Sequence, residues 1–449
     1  MWLNSELRTG GAVPDFEFRT ELPVSAAEAF RWHTRPGAFL RLSPPWGRVE
    51  VREAAVGIKN GARVVMRVGT PLISVRWIAA HRGYEEGRRF VDEQESGPFA
   101  RWVHEHHFED WGPGRSLLVD RIDYTIPFGA AGELVAAAFV RRNLDRVFRY
   151  RAEVTAGDLS RHAPYLERPP LKIAITGASG LVGTQLAAFL TAGGHEVLRV
   201  PRGRIDHESL EGLDAVVHLA GENIARGRWT DERKAEILSS RVGGTKRLAE
   251  ALTVLRTPPT VFLSASAVGY YGYRGERNGD EGAAPGSGFL ADVAKAWEEA
   301  TAPARAAGIR IVNMRFGVIL TARGGALAKM RPPFKLGLGG PIGDGRQGVS
   351  WIALDDVIYA IHHLIRNDGL SGPVNVVAPD PLPQREFALA LGRALHRPAV
   401  IPLPAPVVKA LFGQMGEEIL LGGQFVEPKV LLKSGFTWSA PGLDQALSR

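Results

Sequence analysis

Two rhythms along the chain predict its fold class: an α+β domain with an antiparallel sheet, followed by a doubly wound parallel α/β domain. Before residue 160 the sequence runs in short alternating stretches separated by glycine-rich turns. From residue 171 onward, continuous apolar runs alternate with helical segments. Between them "GDLSRHAPYLERPP" (157–170) is polar and proline-bearing, as a boundary should be. The expected layout is residues 1–160, a linker over 161–170, a dinucleotide-type domain over 171–398, and an extension over 399–449. A chain of 449 residues is too long for one ordinary core, which agrees with that division.

In the first region, "RVEVREA", "RVVMRV", "ISVRWIAA", "WVHEHHFED" and "SLLVDRIDYTI" alternate apolar and polar residues, the period of half-buried strands. Ser25 is the N-cap of a short helix, "SAAEAFRWHT", because its hydroxyl can accept from a first-turn N–H. "AAGELVAAAFVRRNLDRVFRYRAEV" (130–154) carries one apolar stripe and predicts a long closing helix. A strand, short helices, a run of strands and a final helix make a sheet wrapped on a helix. This order resembles the helix-grip domains of the START-like (SRPBCC) superfamily, and the resemblance implies an apolar ligand enclosed by the domain. His104, His106 and His107 share one strand, with His104 and His106 on the same face. Two imidazoles so placed suit a metal. No carboxylate or third histidine falls at obvious ligand spacing on a neighbouring strand, so these are read as ordinary polar strand residues and no metal is expected.

The second region supplies "LKIAIT", "EVLRV", "DAVVHLAG", "TVFLSAS" and "RIVNMRFGVIL", continuous apolar strands of the kind buried on both faces of a parallel sheet. "KIAITGASGLVGTQLAAFLTAGG" places Gly177, Gly180 and Gly183 directly after a strand and at the opening of a helix. Gly177 permits the tight turn, Gly180 lets the backbone approach a pyrophosphate, and Gly183 packs helix against sheet. The helix N-terminus then offers free N–H groups to phosphate. The pattern reads as a Rossmann dinucleotide site, a structural turn without a ligand being the other reading. It is expected to include Thr176, Ser179, Leu181 and Val182 of the same turn, with Leu219, Ala220 and Gly221 after the third strand.

The second strand ends in "RVPRGR", with Arg199, Arg202 and Arg204 and no acid before Asp206. A carboxylate there would accept from ribose hydroxyls and repel a 2′-phosphate, whereas a guanidinium binds one. NADP is therefore the expected cofactor and Arg202 its main phosphate ligand. A solvated arginine cluster is the other reading.

Composition narrows the remaining classes. The chain has no cysteine, which removes disulfides and thiolate chemistry. The net charge of +7 comes from scattered residues without a Lys/Arg block, so nucleic acid is not an expected partner. No signal-like start and no apolar run near the roughly 20 residues that span a bilayer are present. A cytoplasmic location without membrane insertion is expected.

Residues 171 to about 445 resemble the extended, epimerase-like short-chain dehydrogenase/reductase superfamily. More narrowly, they resemble its atypical branch of epimerase-family, cell-division-inhibitor-like oxidoreductases. The stretches that carry this are "ITGASGLVG", "DAVVHLAGENIARGRWTDERKAEILSSRVGGT", "SASAVGYYG", "GGALAKMRPPFKLGLGGPIGDGRQGVSWIALDDV" and "LLGGQFVEPKVLLKSGF". The resemblance implies that Ser266 holds the reacting oxygen and that Lys295, with Glu299 following, binds the nicotinamide ribose. It puts the usual proton-moving tyrosine on Ala291 and the usual asparagine on Arg241. Alanine has no proton to give. Tyr270 and Tyr271 are the nearest substitutes, or else they are aromatics of the cleft wall. Arg241 either stabilises an oxyanion, grips an anionic substrate, or joins a structural ion pair. Val349 of "GDGRQGVSWI" stands where nucleotide-sugar enzymes carry a diphosphate-binding arginine, which argues against that substrate class. "RPPFKLGLGGP" (331–341) is read as a loop able to cover the cleft and position Lys335, and Asp355 and Asp356 as stabilising acids at a helix start. The tail from about residue 400 is expected beside the substrate cleft.

Two functions fit these residues. One is an NADP(H)-dependent oxidoreductase or epimerase acting on a small molecule through Ser266, Lys295 and Tyr270 or Tyr271. The other is a non-catalytic, NADP-sensing regulatory protein whose first domain binds an apolar ligand.

Overall fold

Seven strands form one antiparallel sheet in the first part of the chain. They are β1 (Asp15–Leu22), β2 (Arg48–Ala54), β3 (Arg63–Gly69), β4 (Ser74–Glu85), β5 (Arg89–Ser96), β6 (Arg101–Asp110) and β7 (Ser116–Thr125). Their spatial order is β1-β7-β6-β5-β4-β3-β2, a meander whose last strand returns beside the first. Helices α1 (Ala26–Thr34) and α2 (Ala38–Leu42) follow β1, and α3 (Gly129–His162) closes the region. The computed structural model describes residues 15–54, 57–69, 74–203, 205–273 and 277–448. It divides into two units, Met1–Pro170 with Ala188–His195, and Leu171–Ala187 with Glu196–Arg449.

The Ser25 cap forms as expected, its Oγ accepting from Glu28 N. Phe30 of α1 meets Phe90 and Phe108 edge-on, and Phe148 of α3 packs on Phe16 of β1, so both helices lie on one face of the sheet. Helix α3 extends past residue 154 to His162, with a 3₁₀ turn over Ala163–Tyr165. Half of the polar stretch read as a boundary is therefore helical. Asp158 explains why: it is fully buried and receives a two-pronged contact from Arg41, Nε to Oδ2 at 2.9 Å and Nη2 to Oδ1 at 2.8 Å. Strand β5, "RFVDEQES", is charge-rich and has no clean alternation. It nevertheless pairs between β4 and β6. That register sets Asp92 opposite His104, while β7 sets Asp120 opposite His106. Carboxylates thus do stand on the strands beside the histidines, contrary to the sequence expectation. The cross-strand register that brings them there is a tertiary property.

The second unit holds six parallel strands: β8 (Lys172–Thr176), β9 (Glu196–Val200), β10 (Ala215–His218), β11 (Val261–Ala267), β12 (Arg310–Phe316) and β13 (Gly372–Val376). Their order is β13-β12-β11-β10-β8-β9. This is the predicted Rossmann arrangement. Helices α4 (Leu181–Ala192), α5 (Asp231–Thr253), α6 (Phe289–Glu299) and α7 (Leu354–Arg366) are its main connections. Strand order reverses between β8 and β10, which opens a crevice at their carboxyl ends. Ile173, Ala174 and Ile175 of β8 and Ala215, Val216 and Val217 of β10 are wholly buried, as continuous apolar runs require.

Two local expectations change. The 331–341 stretch is not all loop, because a helix over Gly325–Lys335 runs through Pro332 and Pro333 and ends within a turn of them. The backbone carbonyl of Lys335 accepts from Arg397 Nε at 3.1 Å. Asp356 does begin α7, but its carboxylate also accepts from Ser439 N, Ser439 Oγ and Ala440 N at 2.6, 2.7 and 3.0 Å. It fastens the C-terminal segment to the sheet's helix layer.

Asp158→Ala leaves the Arg41 guanidinium buried without its carboxylate. The expected loss is about 3–5 kcal/mol, read as a lower denaturation midpoint for the first unit by chemical denaturation.

Candidate functional site

The glycine turn is built by close backbone approach. Gly177 has φ +69°, and a Cβ there would lie 2.8 Å from Ala220 N and from the Leu219 carbonyl carbon. A Cβ on Gly183 would stand 2.3 Å from Gly177 O, so α4 can start against the strand only with glycine at that position. Gly180 N donates to Gly177 O at 2.9 Å and tightens the turn. The crevice above is a cavity of about 1090 Å³. Thr176, Gly177, Ser179, Gly180, Arg202, Leu219, Ala220 and Gly221 line it, together with Arg199. Leu181, Val182 and Gly183 stand behind the turn, at the start of α4. Arg204 lies outside the described residues.

Five arginines line this cavity, namely Arg199, Arg202, Arg226, Arg233 and Arg247, against the acids Glu222 and Glu236. The excess of positive charge suits phosphates. Arg202 is largely exposed and donates Nη2 to Glu222 Oε2 at 3.0 Å. Arg233 Nη2 approaches the other oxygen of Glu222 at 3.3 Å. These two contacts hold the Glu222 carboxyl below its ordinary range. The sequence places no acid at the end of the second strand, yet the segment after β10 delivers Glu222 to Arg202.

His218, at the end of β10, was not anticipated. Its Nδ1 lies 2.6 Å from Thr176 Oγ1, and burial pushes its pKa down to about 4, so the ring is neutral at pH 7. Nε2 has no hydrogen-bond partner among the described residues. A histidine inside the otherwise apolar "DAVVHLAG" is the signal for it.

The residues assigned by resemblance to proton and hydride chemistry fall into a different grouping. Ser266 is buried and donates Oγ to Glu298 Oε1 at 2.7 Å. Arg315 forks the same carboxylate, Nε to Oε1 at 2.7 Å and Nη2 to Oε2 at 2.8 Å. Its Nη1 donates to the Tyr271 hydroxyl at 2.9 Å, and that hydroxyl donates to Asn375 Oδ1 at 2.7 Å. Tyr271 is fully buried, and burial pushes its phenol up to about 12. Tyr270 lies flat against the network, with the Arg315 guanidinium 3.5 Å from its ring centroid.

Lys295 pairs with Asp292 at 2.8 Å and, with Tyr270 and Glu298, lines a second hollow of about 680 Å³ that shares no residue with the glycine cleft. Ala291 is buried in the core. On α6 it is Glu298, one position before the Glu299 noted in the sequence, whose carboxylate accepts from Ser266 and Arg315. Arg315 announces itself in the sequence as a charge inside the buried run "RIVNMRF".

Arg241 stays with the cleft. Its Nη1 donates to Ile237 O at 3.3 Å, its guanidinium is 5.0 Å from the Trp297 ring centroid, and a Cβ on Gly221 would sit 3.5 Å from its Cζ. It has no ion-pair partner among the described residues, and burial lowers its pKa to about 10. The structural ion pair is thus not formed.

Comparisons with known proteins agree with this architecture. The NAD dependent epimerase/dehydratase family matches residues 173–378, a domain of unknown function (DUF1731) matches 403–449, and the polyketide cyclase/dehydrase and lipid transport family matches 22–149. An epimerase family protein of Mycobacterium bovis is 41% identical over 290 residues, covering 61% of this chain and 96% of its own. The crystal structure of the human epimerase family protein SDR39U1 with NADPH is similar at a TM-score of 0.58 and 37% identity. It covers 62% of this chain and 98% of that one. A nucleoside-diphosphate sugar epimerase from Corynebacterium glutamicum covers 96% of this chain and 89% of its own, with a TM-score of 0.77 and 32% identity. With identity at this level across nearly the whole length of such relatives, the chain belongs to the epimerase family of NAD-dependent epimerases and dehydratases.

Proposed function

We propose that the glycine cleft binds NADP(H) and that the protein is an oxidoreductase or epimerase acting on a small molecule. The observation that carries this reading is the arginine-lined mouth of the cleft, in which Arg202 is largely exposed and, among the described residues, is held by a contact to Glu222. An incoming 2′-phosphate, with more negative charge and three acceptor oxygens, can engage Arg202 and Arg199 together in charge-assisted contacts. The human relative crystallised with NADPH supports the same choice. The fit at the other end is steric: glycine at 177 and 183 lets the turn close on Leu219–Ala220 and α4 start against Gly177, and Gly180 presents bare backbone to the cleft for the pyrophosphate. When bound, NADP(H) supplies hydride transfer.

The chain's own residues then divide by task. Arg241, beside Gly221 and without a carboxylate partner, is placed to hold an anionic group of the substrate or a developing oxyanion. Ser266 acts through Glu298, and Tyr271 through Arg315 and Asn375, so both are positioning residues. Lys295, on the other hollow, is not assigned to the ribose. A second reading, an NADP-responsive protein without turnover, is favoured by one observation: the hydroxyls of Ser266 and Tyr271 are both committed inside a buried network.

Calorimetry checks the cofactor reading. NADPH is expected to bind more tightly than NADH, and Arg202→Ala should narrow that preference by roughly tenfold or more; equal affinity for the two in the unmodified protein sinks it. NADPH oxidation in the presence of a broad carbonyl panel separates enzyme from sensor. Tyr271→Phe leaves Asn375 Oδ1 without its donor, and a stability loss of about 1–3 kcal/mol is expected with NADPH affinity unchanged. Lost turnover at unchanged stability would instead restore Tyr271 as the proton donor.

A further inference from the structure

Strand β6 turns His104 and His106 inward, and both are buried. Their rings lie 3.8 Å apart between centroids. His33 of α1 and Phe148 of α3 close over them, at 6.4 Å from His106 and 5.4 Å from His104. The two flanking strands each add a carboxylate to this interior. Asp120 Oδ1 contacts His104 Nε2 at 3.0 Å and His106 Nδ1 at 2.7 Å. Asp92 Oδ2 stands 3.3 Å from His106 Nε2, and its Oδ1 stands 2.6 Å from His81 Nδ1 on β4.

Two features distinguish this row from a self-satisfied hydrogen-bond chain. His106 Nδ1, His81 Nδ1 and Asp92 Oδ1 are buried and make no aligned hydrogen bond despite these short approaches. In addition, one potential ligand atom from each of Asp92, His104 and His106 lies within 4.8 Å of the other two. Buried polar atoms are ordinarily well paired, so the poorly aligned contacts mark a strained cluster, and the convergence of Asp92, His104 and His106 is what points to a shared ligand.

We infer that His104, His106 and Asp92 form a binding site for a divalent transition-metal ion inside the first unit, with Asp120 orienting both imidazoles. Two imidazoles and one carboxylate suit zinc-like, borderline cations, whereas calcium and magnesium prefer all-oxygen sets. Asp120 touches one nitrogen of each ring, which leaves the opposite nitrogen of each for the cation. A carboxylate that accepts from the far N–H of a metal-bound histidine fixes its tautomer and direction. Three protein ligands leave a coordination position open, so the ion can meet a ligand oxygen. A domain expected to enclose an apolar ligand thereby gains one polar anchor. The inference is independent of the dinucleotide reading.

The test uses full-length, tag-free protein stripped with a chelator. Cobalt(II) titration, read by its visible ligand-field bands, and zinc content by mass spectrometry should each give one equivalent per chain. Zinc should raise the melting temperature. Asp120→Asn should retain that stoichiometry at saturation with affinity lowered about 10–100-fold, and His107→Ala, whose ring pairs with Glu105, should bind normally. The His104→Ala/His106→Ala pair should lose the equivalent. Absent uptake, or no zinc-dependent shift in melting temperature, overturns the site. So does metal content unchanged in the double variant, which would put the ion elsewhere. Should the double variant fail to fold, the Asp120→Asn affinity and the zinc shift of the unmodified protein decide.

Discussion

At the carboxyl end of β8, main chain meets main chain with no room for a side chain. The Gly177 turn lies against Leu219 and Ala220, and Gly183 lies against Gly177. This contact sets where α4 begins, and so where its unpaired N–H groups point. It also fixes the segment after β10, and that segment brings Glu222 and Gly221 to the rim. The arginines of the cleft matter only because the backbone beneath them is held this closely. A preorganised phosphate cradle with a tunable charged rim is the consequence.

A second constraint shapes the neighbouring part of the unit. Glu298 and Arg315 are an ion pair with little solvent, and burial of that kind is tolerated only when the remaining donors and acceptors are used. Ser266, Tyr271 and Asn375 use them. The result is an engaged polar core at the end of β11 and β12. Ala291 is buried nearby on α6 without a polar group of its own, and the polar contacts of this region centre on the carboxylate–guanidinium fork.

Much of this was legible from the residues. Continuous apolar runs gave the parallel strands, the glycine spacing gave the turn, and Ser25 gave a helix start, because each rests on local chemistry. The failures share one cause. Strand β5 hid behind its charges, so Asp92 was not placed beside the histidines. Glu222 is distant in sequence from Arg202, and Arg41 from Asp158. Charge pairs of this sort depend on register and packing, which a single chain read linearly does not display. Polar residues inside apolar runs, such as His218 and Arg315, were visible cues whose meaning appeared only with their partners.

The Asp356 carboxylate has an implication for how the unit tolerates change. Three donors from residues 439 and 440 converge on one side chain that is wholly shielded from solvent. Shortening the chain before that point would not simply remove an appendage. It would take three donors away from an anion buried at the head of α7, a helix whose inner face supports the sheet. The last dozen residues thus act as a clasp, and losing them would weaken the scaffold from within.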